Sequence, residues 1–136
     1  MDFGVPGPAR GKARPRVTRA GAHTYTPDPG DYAARVRDYG MVARLEAGWE
    51  MTDEPVLLDI HVLRAMPTGW SRSRRESMDG SLALPRPDAV NIAAAICDAL
   101  EGVFYVNDAQ VVRLTIDKRW GQTSQTTITV DTTRGE

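Results

Sequence analysis

The stretch that most constrains this 136-residue chain is residues 88–102, DAVNIAAAICDALEG. Wound as a helix, it gathers Ile92, Ala95, Ile96, Ala99 and Leu100, with Val103 just past its end, on one side, a stripe that must face a core. Asn91, Ala94 and Asp98 form a second, flanking stripe, with Asp88 at its start, and Gly102 stops the helix. Val90 lies away from the apolar side. A helix of this kind needs a partner layer. The spacing predicts strands over 55–64 (PVLLDIHVLR), 111–120 (VVRLTIDKRW) and 125–132 (QTTITVDT), with GQTS turning the last two into a C-terminal β-hairpin.

The rest of the chain fits around that unit. Residues 2–5 suit a short edge strand. Residues 30–47 have helical periodicity through Tyr32, Val36, Tyr39/Gly40 and Ala43, with Asp31 as a possible cap. MPTGW at 66–70 reads as a turn. SRSRRESMDG at 71–80 suits a short charged helix capped by Ser71. The expected fold class is mixed α/β (α+β): one domain over residues 1–136, with a mixed sheet packed by helices. Pro and Gly make residues 6–30 an extended arm with turns. That arm is basic: residues 10–19 hold Arg10, Lys12, Arg14, Arg16 and Arg19 and no acid.

Charge and composition narrow the function classes. The net charge of −1 conceals the basic arm and a second cluster, Arg72, Arg74 and Arg75, with Arg86 beyond it. Of the 17 Lys and Arg residues, only Lys12 and Lys118 are lysine. Arginine offers phosphate a bidentate fork, so these clusters are candidate phosphate contacts; the plainer reading is a solvated surface. No apolar run is long enough for a membrane span, and the start lacks a signal-peptide core. One cysteine, Cys97, allows no internal disulfide. The expectation is a cytoplasmic protein with no membrane partner. His23 and His61 lack metal-ligand spacing. Trp49, Trp70 and Trp120 are expected packing anchors, with Trp70 also placed to stack on an unpaired base.

Taken singly, Asp88 reads equally as a first-turn acid, Asp98 as a partner for the basic arm, and Asp108 as a turn residue. Read in order, GKARPRVTRAGAHTYTPD, PTGWSRSRRE and RPDAVNIAAAICDALEGVFYVNDAQVV resemble the RusA-like Holliday junction resolvases, phage- and prophage-type endodeoxyribonucleases. The resemblance covers most of the chain. It implies a homodimer that binds four-way DNA junctions and cuts them by paired nicks, using Mg²⁺ or Mn²⁺. Hard cations of this kind require carboxylate oxygens.

Carried over by position, the resemblance makes Asp88 and Asp108 the catalytic, metal-binding acids, with Asn91 and Asp98 supporting them. Val90 stands where an aspartate is expected and Ala94 where a lysine is expected; Asn107 replaces the first of an acidic pair. The expectation is weakened metal binding and severely impaired cleavage, with DNA binding kept. The alternatives are a catalytically inactive junction-binding protein and a dimerising domain that does not engage DNA.

Overall fold

The computed structural model describes residues 1–12, 16–17, 24–25 and 31–133. Arg14 and Arg19 lie outside the described residues, and of Arg16 only the backbone is described. The elements run β1 (Asp2–Pro6), β2 (Arg16–Val17), β3 (Thr24–Tyr25), α1 (Tyr32–Ala47), β4 (Val56–Ala65), α2 (Arg72–Met78), α3 (Ala89–Leu100), a 3-10 turn (Asp108–Gln110), β5 (Val111–Gly121) and β6 (Gln125–Thr132). This is the mixed α+β class the sequence predicts. Among the described residues no helix is long and apolar enough to cross a membrane.

The main sheet has the order β1-β6-β4-β5, and β2 pairs with β3 separately. β4 is parallel to β5 and antiparallel to β6. The expected C-terminal hairpin is therefore corrected. The two strands exist where predicted, but β4 lies between them. Residues 122–124 cross the end of β4 instead of folding one strand onto the other. That crossing is fixed by hydrogen bonds from the Ala65 N–H to Ser124 Oγ (3.0 Å) and from the Met66 N–H to the Gly121 carbonyl (3.0 Å). Alternation and a polar turn mark two strands but not their neighbours. β4 is buried from Val56 to Val62 on one face, and a central place gives its backbone a ladder on both sides.

One face of the sheet carries Val5, Val56, Leu58, Ile60, Val62, Ile128 and Val130 into the core. Against it pack Tyr32 and Val36 of α1 and Ile92, Ala93, Ile96, Ala99 and Leu100 of α3. The apolar stripe of α3 is thus the one expected from its spacing, with Ala93 added. Gly40 lets α1 approach closely: a Cβ there would sit 3.0 Å from Leu100 Cδ2 and 3.3 Å from Phe104. Asp31 holds the N-cap position of α1 without a side-chain capping bond. Ser71 does cap α2, accepting from the Arg74 N–H at 3.1 Å.

The opposite sheet face is polar. Neighbouring strands pair Asp59 with Thr115 and His61 with Asp117 there.

Candidate active site

The turn before β5 is built so that one acid stays uncommitted. Asn107 caps it, accepting from the Ala109 N–H at 2.8 Å. Gln110 closes a capping box: its Oε1 accepts from the Asn107 and Val106 N–H groups, both at 2.8 Å. Its Nε2 donates to the Thr52 and Glu54 carbonyls, each at 2.9 Å. With capping done by its neighbours, the Asp108 side chain is exposed.

Asp108 meets the last turn of α3. One carboxylate oxygen from each of Asp98, Glu101 and Asp108 lies within 4.8 Å of the others. A Mg²⁺ or Ca²⁺ ion takes oxygens at roughly 2.0–2.6 Å, so ligand oxygens up to about 5 Å apart fit around one ion. The donors are all hard oxygens, and two of the three residues are exposed. The trio therefore suits a divalent ion of that class.

Glu101 was not among the residues expected from sequence. The signal was present, however. Asp98 and Glu101 are like charges three apart, near a helix C-terminus where the dipole disfavours acids, and no base stands in that last turn.

Lys12 completes this end of the site, with Nζ 2.7 Å from Asp98 Oδ2. That contact is the partnership between Asp98 and the basic arm that the sequence suggests. It raises the Lys12 pKa, through the Asp98 hydrogen bond first and the charges of Asp98 and Asp108 after it. Beneath the cluster, the buried Tyr105 donates to the Cys97 carbonyl at 2.6 Å. Burial, then the charges of Cys97, Asp108, Glu101 and Asp98, push its phenol well above the ordinary value. Burial, then Asp108 and Asp98, push the Cys97 thiol up to about 11.

Asp88 sits at the other end of α3. It occupies the N-cap position, but its exposed side chain makes no capping bond, so capping does not account for it. Ten residues of helix separate it from Asp98, about 15 Å along the axis. The structure thus brings Asp108 together with Asp98, while Asp88 stands at the opposite end of α3 from Asp98. Asn91 and Ala94 lie between them on the same stripe.

Around Asp88 the surroundings are basic. Arg10, Arg86, Pro87, Asp88 and Asn91 line an open concavity of about 310 Å³. It adjoins a deeper one of about 320 Å³ that adds Arg64 and Lys118. Lys118 Nζ donates to the Pro85 carbonyl (2.8 Å) and the Pro87 carbonyl (2.9 Å). Arg64 donates to the Arg86 carbonyl. These two cations clamp residues 85–87, and so set where Arg86 and Asp88 stand.

Val90 is 79% exposed, so packing does not explain its apolar side chain. Arg72, Arg74 and Arg75 stand on α2. Arg74 lies 4.1 Å from the Trp70 ring centroid, and Trp70 packs edge-on against Trp120 at 4.9 Å. Arg75 donates to the Pro67 carbonyl at 2.8 Å, and Arg72 pairs with Glu76 at 3.1 Å. Trp49, edge-on to Phe104, is an anchor as expected.

The fold and site define a small mixed α+β domain, with a carboxylate trio gathered at the C-terminal end of α3 and a basic flank at its N-terminal end. The family model described as Endodeoxyribonuclease RusA matches residues 6–131, and the chain belongs to that family. It is also similar to the Uncharacterized protein YqaN of Bacillus subtilis (strain 168). The two are 28% identical over 126 residues, covering 90% of this chain and 89% of that protein.

Proposed function

We propose that the chain is a structure-selective endodeoxyribonuclease that binds four-way DNA junctions as a homodimer and nicks them with a divalent metal. The observation that carries this reading is Asp108, left uncommitted by its turn and placed within 4.8 Å of Asp98 and Glu101. Asp98, Glu101 and Asp108 are the residues suited to hold Mg²⁺ or Mn²⁺. A bound ion would supply an activated water and offset charge on the phosphodiester.

The chain's own side chains do the remaining work. Arg10 and Arg86 attract phosphates to the stripe on α3, and Lys118 and Arg64 fix the loop that presents Asp88. Asp88, with Asn91, orients the backbone or a water at the far end of that stripe. Arg72, Arg74 and Arg75, with arm residues Arg14, Arg16 and Arg19, extend the phosphate contacts. Junction shape, not base sequence, is what such contacts select.

Cleavage is expected to be weak, because exposed Val90 stands where the family resemblance expects an aspartate and leaves Asp88 without a second carboxylate at its end of α3. Incubation of the purified chain with a synthetic four-way junction in Mg²⁺ and in Mn²⁺ tests the proposal. Slow, EDTA-sensitive nicks on opposed strands are expected, and light scattering should give a dimer mass. Junction affinity no greater than duplex affinity would refute the reading. A second reading, a junction-binding protein without useful catalysis, is favoured by the same exposed Val90. Tight junction binding with no nicking in either metal would establish it.

A further inference from the structure

The polar stripe of α3 contains a gap, and a residue from the arm covers it. The Lys12 N–H donates to the Asn91 carbonyl at 3.0 Å. Its ammonium reaches Asp98, two turns further along the same face. Ala94 lies between those two residues, within the stretch of helix that Lys12 spans. The approach is tight. A Cβ on Gly11 would lie 2.9 Å from the Asn91 Cβ, so only glycine lets the backbone come so close.

The track leading there is fixed. Arg35 donates to the Pro6 carbonyl at 3.0 Å and the Pro8 carbonyl at 2.9 Å. The Gly7 N–H donates to the Ser124 carbonyl at 3.0 Å.

We propose that Lys12, delivered by the arm, is the positioned cation of the carboxylate cluster and faces the scissile phosphate from the place that Ala94 leaves open. This rests on reading the cluster as a nuclease site. An ion pair this exposed, 56% and 43% at its two side chains, adds little to stability. Its consequence lies in where it puts the charge. An ammonium has three donors, and among the described residues Asp98 takes one. The others are free for a phosphate oxygen beside Asp98, Glu101 and Asp108. A longer side chain at position 94 would compete with Lys12 for Asp98.

The test is single-turnover nicking of a four-way junction in Mn²⁺ with the protein in saturating excess. Lys12→Ala is expected to lower the rate constant about a hundredfold, in the range for loss of a positioned charge donor. Ala94→Lys added to Lys12→Ala should restore most of it. A lysine that merely gripped the backbone would instead cost about tenfold in affinity and leave the saturated rate unchanged.

An unchanged saturated rate overturns the proposal, and so does a loss that Ala94→Lys fails to rescue. If the unaltered chain does not nick at all, the nuclease reading fails on its own. Lys12 is then judged by NMR of reductively ¹³C-methylated protein, in which Lys12 and Lys118 are the two lysines. The Lys12 signal should move on Asp98→Asn and on adding junction DNA in EDTA. No movement in either case overturns its placement.

Discussion

Asn107 and Asp108 differ by one amide, yet the first holds the turn and the second keeps an exposed carboxylate beside Asp98 and Glu101. Asp108→Asn keeps the shape and removes the charge. Nicking in Mn²⁺ should fall at least about a hundredfold, while junction affinity in EDTA holds or rises as repulsion of phosphates is relieved. Undiminished nicking would remove Asp108 from the site. Tyr32 is a different case, because its role is structural. Its hydroxyl shares a buried 2.7 Å hydrogen bond with Thr126 Oγ1, and Thr126 is fully buried. Tyr32→Phe removes the phenol and strands the buried Thr126 hydroxyl at a cost of about 1–3 kcal/mol, read as a lower urea midpoint. Adding Thr126→Val should recover part of the loss. No sequence period reveals that pair, since its members are 94 positions apart. The spacing showed Tyr32 facing inward and nothing about its partner.

Elements were legible to the extent that local patterning decides them. α3 was readable because six apolar side chains fall on one face, and α2 because Ser71 precedes a charged run. The neighbours of β5 and β6 were not readable, since strand order depends on β4, 46 or more residues earlier than the strand that follows it across the crossover. The carboxylate trio was half legible for the same reason. Asp98 and Asp108 lie in adjoining segments, but their approach depends on Gln110 reaching Thr52 and Glu54.

The pairing of β4 with β5 also sets a pH dependence. His61 stands between Asp117 (3.0 Å) and Asp59 (3.1 Å). The hydrogen bond to Asp117, then that to Asp59, raises its pKa above the ordinary 6.5. A raised folded-state pKa stabilises fully below the unfolded value, and the stabilisation disappears as pH rises through the folded value. The difference in urea midpoint between the native chain and His61→Gln should therefore be largest below about pH 6 and shrink above neutrality. A difference independent of pH would show that the imidazole charge is not what holds the two strands there.

For the whole molecule, a chain of net charge −1 binds DNA only if its charges are segregated. The polar sheet face mixes Asp59 and Asp117 with His61 and Arg119, and that mixture has little pull on phosphate. On the α3 side, Arg10 and Arg86 line a concavity with a single acid, Asp88. Arg72 on α2 is already paired with Glu76, which lessens its share. The duplex arms should therefore lie over α3. Each neutralised phosphate contributes about −0.9 to the slope of log affinity against log salt. Arg10→Ala with Arg86→Ala should make the slope for a four-way junction shallower by about 2, since both cations reach the backbone. Arg72→Ala alone should change it by less than about half a unit, because Glu76 already offsets that charge. Fluorescence anisotropy in EDTA across a salt series gives all three slopes without any cleavage. If the Arg10 and Arg86 variant kept the native slope while Arg72→Ala lost a full unit, the DNA would run over α2, and the carboxylates at the end of α3 would lie off its path.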